Sequence, residues 1–426
     1  MFNKLFLFVK SRVWLLPTLF SIVAFFLAAL VSFLDQFSFL HNTTILKEYL
    51  SINSDLAKTI LSTIAGSLLT MTTITFSTIM VVLTTYSSQF SPRTLQNFIR
   101  DRVTMRVLGI FIGGFVYSIF SLLFMKEKSE SYVLAATSSV VIASICVGIF
   151  AYFIHHVASS VRVSKLIEKL TDDVRKTIHM QKRKIENNEG ISIVKNVPLH
   201  NQYSKTLEIK NKDIIGYIQL IDEETLCKNA CEEDYFIEIH HQIGSFLSLD
   251  KKVITIHYNG EIGEKGLEEI TLGNERTTMQ DVDFGLQQLT EIALRAISPG
   301  INDPNTAIDC IRHLSLCLKE VSKLDGSFMA YYDEKRPVLC IPQRPFEDIV
   351  RSSFYQICHY GQKDISILVA IFDALLEISE CNTETIITKS VEFSEYILEK
   401  IDINSFPEID QQLLKKKKSH LEAFLK

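Results

Sequence analysis

The sequence predicts an α-helical transmembrane bundle of four spans, followed by an α+β domain with a small sheet and a helical C-terminal part. Three observations carry this. Four stretches before residue 155 are apolar, uncharged in their interiors and about 20 residues or longer, the length a helix needs to cross a hydrocarbon core of roughly 30 Å. Charge divides the chain at the same place: up to His155 there are 11 Lys and Arg against 6 Asp and Glu, a net of +5, and beyond it 33 against 43, a net of −10. From about Asp213 the apolar pattern takes the period of two that strands show, and from Arg276 it returns to helical spacing. The mean hydropathy of +0.17 therefore averages two unlike parts. Composition excludes collagen-like, disordered and disulfide-scaffold classes.

The membrane part is expected over 1–155, with spans at about 14–34, 57–86, 107–125 and 132–154. Lys4, Lys10 and Arg12 precede the first span, as in a signal peptide. Its apolar run exceeds the roughly 7–15 residues of a signal core, however, and no small-x-small cleavage site follows Phe33-Leu34-Asp35-Gln36, so it reads as retained. Lys58 and the His155–His156 pair stand only at span ends. Basic residues alternate between sides. They gather before span one, after span two (Arg93, Arg100, Arg102, Arg106) and after span four (Arg162, Lys165, Lys169), whereas acids offset Lys47, Lys126 and Lys128 in the other two loops. Excess Lys and Arg mark the cytoplasmic side. Both termini of an inner-membrane protein are therefore expected in the cytoplasm. Seven of the eight cysteines follow residue 220 and none lies in either exterior loop, so free thiols in a reducing compartment are expected.

Span two is the most informative. Thr59, Thr63, Gly66, Thr70, Thr73, Ser77 and Thr84 fall on one helix face, opposite Ile60, Ile64, Leu68, Met71 and Ile79. Such a small, hydroxylated face either packs closely against another helix or lines a water-filled path. At about 1.5 Å per residue the run to Phe90 reaches roughly 50 Å, so it tilts or projects. Ser91-Pro92 then reads as an N-cap with Pro at N1, opening an interfacial helix to about Asp101 whose arginines suit lipid phosphates. In span three, Gly109 with Gly113-Gly114 gives a GxxxG spacing for close helix contact. No charge lies deep in any span, which argues against a proton-coupled pump.

After span four, an amphipathic helix over 156–186 is expected to extend it as a stalk or an oligomer contact. A small α+β domain is expected over 187–275, with strands near 191–194, 214–221, 235–240 and 252–257 and a helix near 222–233. A mostly helical domain is expected over 276–426. There a helix at 279–297 ends at Ser298-Pro299-Gly300-Ile301-Asn302-Asp303-Pro304, where Gly300 suits a left-handed exit and Asp303-Pro304 a new N-cap and N1. A helix to about Leu324, a strand or loop at 338–341, helices at 345–359 and 363–379, and a terminal amphipathic helix with Lys415–Lys418 follow.

Three blocks resemble an uncharacterised bacterial family of predicted membrane proteins, domain of unknown function 2254. The first runs from Ala65-Gly66-Ser67 through Phe76-Ser77 to Ser87-Ser88-Gln89-Phe90-Ser91-Pro92-Arg93. The second is Gly216-Tyr217-Ile218-Gln219 with the strands after it. The third holds Arg276-Thr277, Gln280-Asp281, Phe284-Gly285, Ala293-Leu294-Arg295-Ala296 and the Ser298–Pro304 turn. The resemblance spans nearly the whole chain and implies the four-span layout. It brings no established activity with it.

The polar residues Arg276, Gln280, Asp281, Arg295, Asn302 and Asp303, together with Gln89 and Arg93, are candidates for a ligand or subunit contact. The alternative is capping and salt bridging around a helix-turn-helix. Cys227 and Cys231 read as buried thiols rather than metal ligands, because neighbouring His240 and His241 point to opposite faces of a strand. The His155–His156 pair is either a favourable cation at a helix end or a pH-sensing gate. No nucleotide-binding glycine loop, Ser-His-Asp ordering, HExxH or paired-Cys motif is present. The sequence therefore leads to expect no catalytic residue, no metal, no cofactor and no nucleic-acid partner. It leads to expect a homo-oligomer in a lipid bilayer, channel-like or transport-related, with span two contributing the path and the cytoplasmic domain gating it. The rival expectation is a membrane-anchored ligand sensor or scaffold whose spans only pack.

Overall fold

The computed structural model describes residues 14–35, 54–89, 102–125, 134–160, 162–198, 203–212, 214–263 and 266–425. The N-terminal flank, most of both loops expected outside the membrane, and the expected 92–101 helix with Arg93 lie outside the described residues, as does the side chain of Gln89. The chain forms two compact units, Met1–Arg162 and Val163–Lys426.

The first unit holds helices α1 (Leu15–Leu34), α2 (Ser54–Gln89), α3 (Arg102–Phe124) and α4 (Leu134–Ser160). All four are long and apolar enough to cross a membrane. α1 turns its small residues Ala24, Ala28 and Ser32 inward and leaves Leu19, Val23, Phe26 and Leu30 outward. Ala24 and Ala28 pack against Tyr117 of α3, and one to two turns earlier Phe20 meets the glycines of α3. A Cβ added at Gly109 would lie 2.9 Å from Phe20 Cδ2, and one at Gly113 would lie 3.3 Å from the Phe20 carbonyl oxygen. The GxxxG spacing is thus a close contact between spans one and three, the packing that small residues permit where no hydrophobic drive between helices exists. Phe25 adds an edge-on contact to Phe120, with ring centroids 4.8 Å apart.

Polar groups inside this unit pair across helices. Tyr117 Oη and Ser138 Oγ are 2.5 Å apart, and Ser118 Oγ and Ser139 Oγ 2.8 Å apart, tying α3 to α4. The Asp35 carboxylate, just past α1, accepts the backbone N–H groups of Leu134 at 2.9 Å and Ala135 at 3.3 Å. It satisfies the orphan donors at the start of α4 from a position 99 residues away.

The second unit begins with α5 (Val163–Asn187), then β1 (Ile191–Val194), β2 (Lys205–Lys210), β3 (Gly216–Ile221), α6 (Glu223–Glu232), β4 (Phe236–Ile239), β5 (Phe246–Leu247), β6 (Lys252–Tyr258) and β7 (Ile270–Gly273). It continues with α7 (Val282–Ala296), α8 (Pro304–Val321), β8 (Phe328–Asp333), β9 (Arg336–Pro342), α9 (Phe346–Gly361), α10 (Ile365–Ser379), α11 (Glu384–Lys400) and α12 (Glu408–Glu422). One sheet has six strands in the order β1-β8-β9-β4-β6-β2, and a second has three in the order β5-β3-β7. All pairs are antiparallel except β4 with β9, where Ile237 faces Leu339. Alternation sends Ile237, Ile239, Ile254, Ile256, Leu339 and Ile341 into one core, which also takes Ile218 and Leu247 of the small sheet and Leu226 and Ala230 of α6.

Two expectations are corrected. The division at residue 275 does not hold, because β8 and β9 complete the sheet that β4 and β6 begin. The amphipathic helix is a packed member of this unit rather than a stalk. It starts at Val163, apart from α4, and its buried face (Leu166, Leu170, Val174, Ile178) rests on α7 and α8. Thr171 Oγ1 meets His313 Nδ1 at 2.9 Å there, and Arg175 Nε donates to Glu320 at 2.8 Å. The terminal helix is α12, where Lys415 and Lys416 are exposed, Lys418 lies 3.1 Å from Glu395 on α11, and Lys417 pairs with Asp373 on α10.

Candidate functional site

The polar set of the third block separates into two places. Asp281 caps α7, accepting the Phe284 N–H at 2.9 Å, and is 4% exposed. Such a carboxylate needs a fixed counter-charge. Arg276 supplies it with Nε to Oδ2 and Nη2 to Oδ1, both 2.7 Å, the planar two-pronged fit that suits guanidinium to carboxylate. The third prong, Nη1, donates to Gln287 Oε1 at 3.0 Å, and the guanidinium lies 5.3 Å from the Phe284 ring centroid. Burial raises the Asp281 carboxyl above its ordinary value, with Arg276 and the Phe284 amide pulling it partway back. Gln280 faces the other way: its Oε1 accepts the Ile221 N–H at 3.1 Å and its Nε2 donates to the Ile221 carbonyl at 3.3 Å, locking α7 to the end of β3.

Arg295, Asn302 and Asp303 sit at the far end of α7, about 20 Å away at 1.5 Å per residue. Asp303 caps α8, accepting from the Thr306 N–H at 3.1 Å and its hydroxyl at 2.6 Å. The left-handed residue of the turn is Asn302, φ 51°, and not Gly300 as expected. Asn tolerates that conformation better than other residues with a Cβ. Its N–H and that of Ile301 both reach the Ser298 carbonyl, at 2.9 and 3.0 Å, closing the helix end.

Beside the Arg276 pair, a cavity of about 450 Å³ opens along α7 and α9. Its charged lining is Arg276, Arg344 and Arg351 against Asp283, Glu291 and Asp348. Arg344 donates to Asp283 Oδ2 at 3.4 Å and to the Asp348 carbonyl at 3.0 Å, and Arg351 lies 5.7 Å from the Tyr396 ring centroid. Sequence patterning does not link Arg344 and Arg351 to Arg276, since they lie on separate elements. Gly244, also missed, has φ +83° and packs its backbone against the ion pair, so an added Cβ would overlap Asp281 and come 2.7 Å from Arg276 Nη2. Cys227 and Cys231 lie on α6, where burial pushes the Cys227 thiol up to about 12. Among the described residues no three His, Cys, Asp or Glu side chains are grouped to hold a metal.

In the membrane unit, Thr59, Thr63, Gly66, Thr70, Thr73, Ser77 and Thr84 all lie exposed on α2, while Ala57, Leu61, Ala65, Leu68, Ile79 and Val82 pack inward. The set is one face, turned away from the other three helices. Its hydroxyls bond their own helix: Thr63 Oγ1 donates to the Thr59 carbonyl at 2.7 Å, Thr70 to Gly66 at 2.9 Å and Thr73 to Leu69 at 3.0 Å. A Cβ at Gly66 would meet nothing within 4 Å.

Four lipid-compatible helices followed by a separately packed α+β unit define a multi-span membrane protein. The chain belongs to the family of predicted membrane proteins DUF2254, whose model matches residues 10–377. It is 26% identical over 397 residues to the uncharacterised proteins Mb1321c of Mycobacterium bovis and Rv1290c and MT1328 of Mycobacterium tuberculosis, an overlap that covers 88% of this chain and 73% of theirs. No solved structure matches.

Proposed function

We propose that the protein is a homo-oligomeric, channel-like protein of the bacterial inner membrane, with both termini cytoplasmic. In this reading, the hydroxyl faces of α2 from several copies line the path and the C-terminal unit gates it. The observation that carries it is a contrast between outward faces. The outward side of α1 is almost wholly Leu, Ile, Val and Phe, whereas α2 runs a line of Thr59, Thr63, Gly66, Thr70, Thr73, Ser77 and Thr84 between exposed Leu69, Ile74, Phe76 and Val81. A face with little apolar bulk is poorly matched to acyl chains and well matched to a second helix or to water. The inside of a single bundle is filled by Leu61, Leu68, Phe111, Tyr117 and Phe153, so a path needs more than one copy. The orientation follows the alternation of Lys and Arg. The reading assigns no catalytic step. Ion flux into liposomes tests it: wild type conducts, and Thr70→Leu and Thr73→Leu reduce the flux. Equal background-level flux from all three removes the reading.

A second reading, a membrane-anchored sensor, is favoured by the cavity beside Arg276. Three arginines near 450 Å³ of space suit a small ligand with anionic groups, and three carboxylates select against bare anions. Thermal-shift screening of the full chain against small phosphorylated and carboxylated compounds tests it. Arg344→Ala abolishes any authentic shift.

A further inference from the structure

The geometry points to a lipid-docking tip on the C-terminal unit, formed by Ile214, Ile215, Phe246 and Leu249, that seats on an anionic bilayer surface. These four side chains are 50%, 51%, 51% and 46% exposed and gather at one loop pair, whereas the unit's other strongly exposed apolar side chains, Met180, Tyr360 and Ile409, stand on three different helices, α5, α9 and α12. They stand together at one end of the three-stranded sheet. The β3–β5 register pairs Gly216 with Leu247 and Tyr217 with Phe246, so the chain ends at Ile214–Ile215 and Ser248–Leu249 run side by side.

The tip is held on a firm frame. Asn211 is buried, and its Nδ2 donates both to the Ile214 carbonyl at 2.8 Å and to the Ser248 carbonyl at 3.1 Å. Its backbone N–H reaches the Lys251 carbonyl at 2.9 Å, and its carbonyl accepts from Asp250 at 2.8 Å. Asp250 turns the chain with φ 61°, Leu247 anchors it in the core, and the Phe246 ring stands edge-on to Tyr217 with centroids 5.1 Å apart. The apolar groups are presented by satisfied backbone, so docking needs little further ordering.

Charge selects the occupant. Lys210, Lys212, Lys251 and Lys252 flank the tip in sequence against Asp213 and Asp250, with Lys252 also 2.8 Å from Glu208. The chain beyond His155 carries a net of −10, or −12 without those four lysines and two aspartates, so the rest of this unit is repelled by acidic headgroups while the tip is drawn to them. That combination fixes an orientation on a negatively charged surface. Apolar side chains rimmed by lysine are the composition that enters the headgroup and acyl boundary. Four spans in the same chain keep a bilayer within tethered reach, at high effective concentration. A second copy of the unit, acidic in the same way, is the weaker partner.

Tryptophan quenching in the full chain tests this. The chain has one Trp, Trp14. A Trp14→Phe/Phe246→Trp variant is placed in nanodiscs whose lipids carry bromine on the acyl chains. In nanodiscs rich in phosphatidylglycerol, Trp at 246 is quenched well beyond a Trp14→Phe/Tyr360→Trp control, whose site is 70% exposed on α9. In pure phosphatidylcholine the quenching falls. Adding Lys212→Gln and Lys251→Gln weakens docking roughly 30-fold, the effect of two lysines at an anionic surface. Quenching at 246 no greater than at 360 in both lipids overturns the proposal. A blue shift without quenching assigns the patch to a second copy and overturns it as well. Equal quenching in both lipids overturns the choice of an anionic surface.

Discussion

One oxygen of Asp281, Oδ1, accepts from both Arg276 Nη2 at 2.7 Å and the first turn of α7 at Phe284 N–H, 2.9 Å. A single buried carboxylate thereby starts a helix and holds the guanidinium that borders the cavity. Arg276→Ala leaves that charge uncompensated and is expected to cost about 3–5 kcal/mol. Arg276→Lys recovers only part, because an ammonium cannot make the two parallel bonds. Gly244→Ala is expected to mimic Arg276→Ala without touching either charge, since its methyl group would overlap the pair. Urea midpoints of the C-terminal unit, read by limited proteolysis of the full chain, measure all three.

The glycines of the membrane unit separate packing from exposure. Gly109→Val and Gly113→Val drive side chains into Phe20 and are expected to destabilise the bundle by about 1–3 kcal/mol, the usual range for overpacking. Gly66→Val meets open space and is expected to leave the single bundle intact. Thermal unfolding in detergent reports the first effect. Size-exclusion chromatography with light scattering reports whether Gly66→Val changes copy number.

Acid is expected to weaken the C-terminal unit below about pH 6.5. Burial lowers His240 and His241 below the ordinary imidazole value, with Glu238 and Glu208 opposing it at His240, Lys252 and His241 reinforcing it there, and Lys251 reinforcing it at His241. The folded state therefore binds these protons less readily than the unfolded chain. Stability is full above about pH 6.5 and is lost as pH falls from there through the folded values. Urea midpoints at about pH 7.5 and pH 5.5 show the drop, and His240→Asn with His241→Asn flattens it.

Thiol reactivity is expected to single out one cysteine. Burial pushes Cys227, Cys317 and Cys340 up to about 12 and raises Cys310 and Cys358 as well, whereas Cys381 is exposed in a turn with φ 57°. A maleimide at neutral pH is expected to modify Cys381 at least roughly tenfold faster than any of these five, because the thiolate is the reacting form and its share falls as burial weakens the acid. Peptide mass spectrometry of the native protein reads the order of labelling. Equal rates at Cys227 and Cys381 contradict the packing of α6.

What could be read from the sequence was local. Span lengths, the GxxxG spacing, the β3, β4 and β6 patterns and the Asp303 cap each lie within one short window, and each recurs in the structure. What could not be read depends on distant partners. The Asp35 cap on α4 joins residues 99 apart. The hydroxyl period of α2 showed that Thr70 and Thr73 share a face, but not what the face meets. Helix α11 escaped because Thr385-Ile386-Ile387-Thr388 favours strands, and burial of Ile386, Ile387, Val391 and Ile397 overrides that preference. Arg276 with Asp281 was legible as a polar cluster. The cavity beside them required α9.

The position of β9 between β8 and β4 imposes an order on biogenesis. β4 follows the four spans and strands β1 to β3, and of its two partners β6 comes within about 20 residues whereas β9 comes almost a hundred residues later. At roughly 5–20 residues per second the wait lasts several seconds. Throughout it, the side of Phe236–Ile239 that will take β9 stands open, a strand edge ready to pair wrongly. A ribosome stalled before Arg336 leaves a product that is inserted but unfinished, the kind of chain that membrane-bound proteases exist to clear.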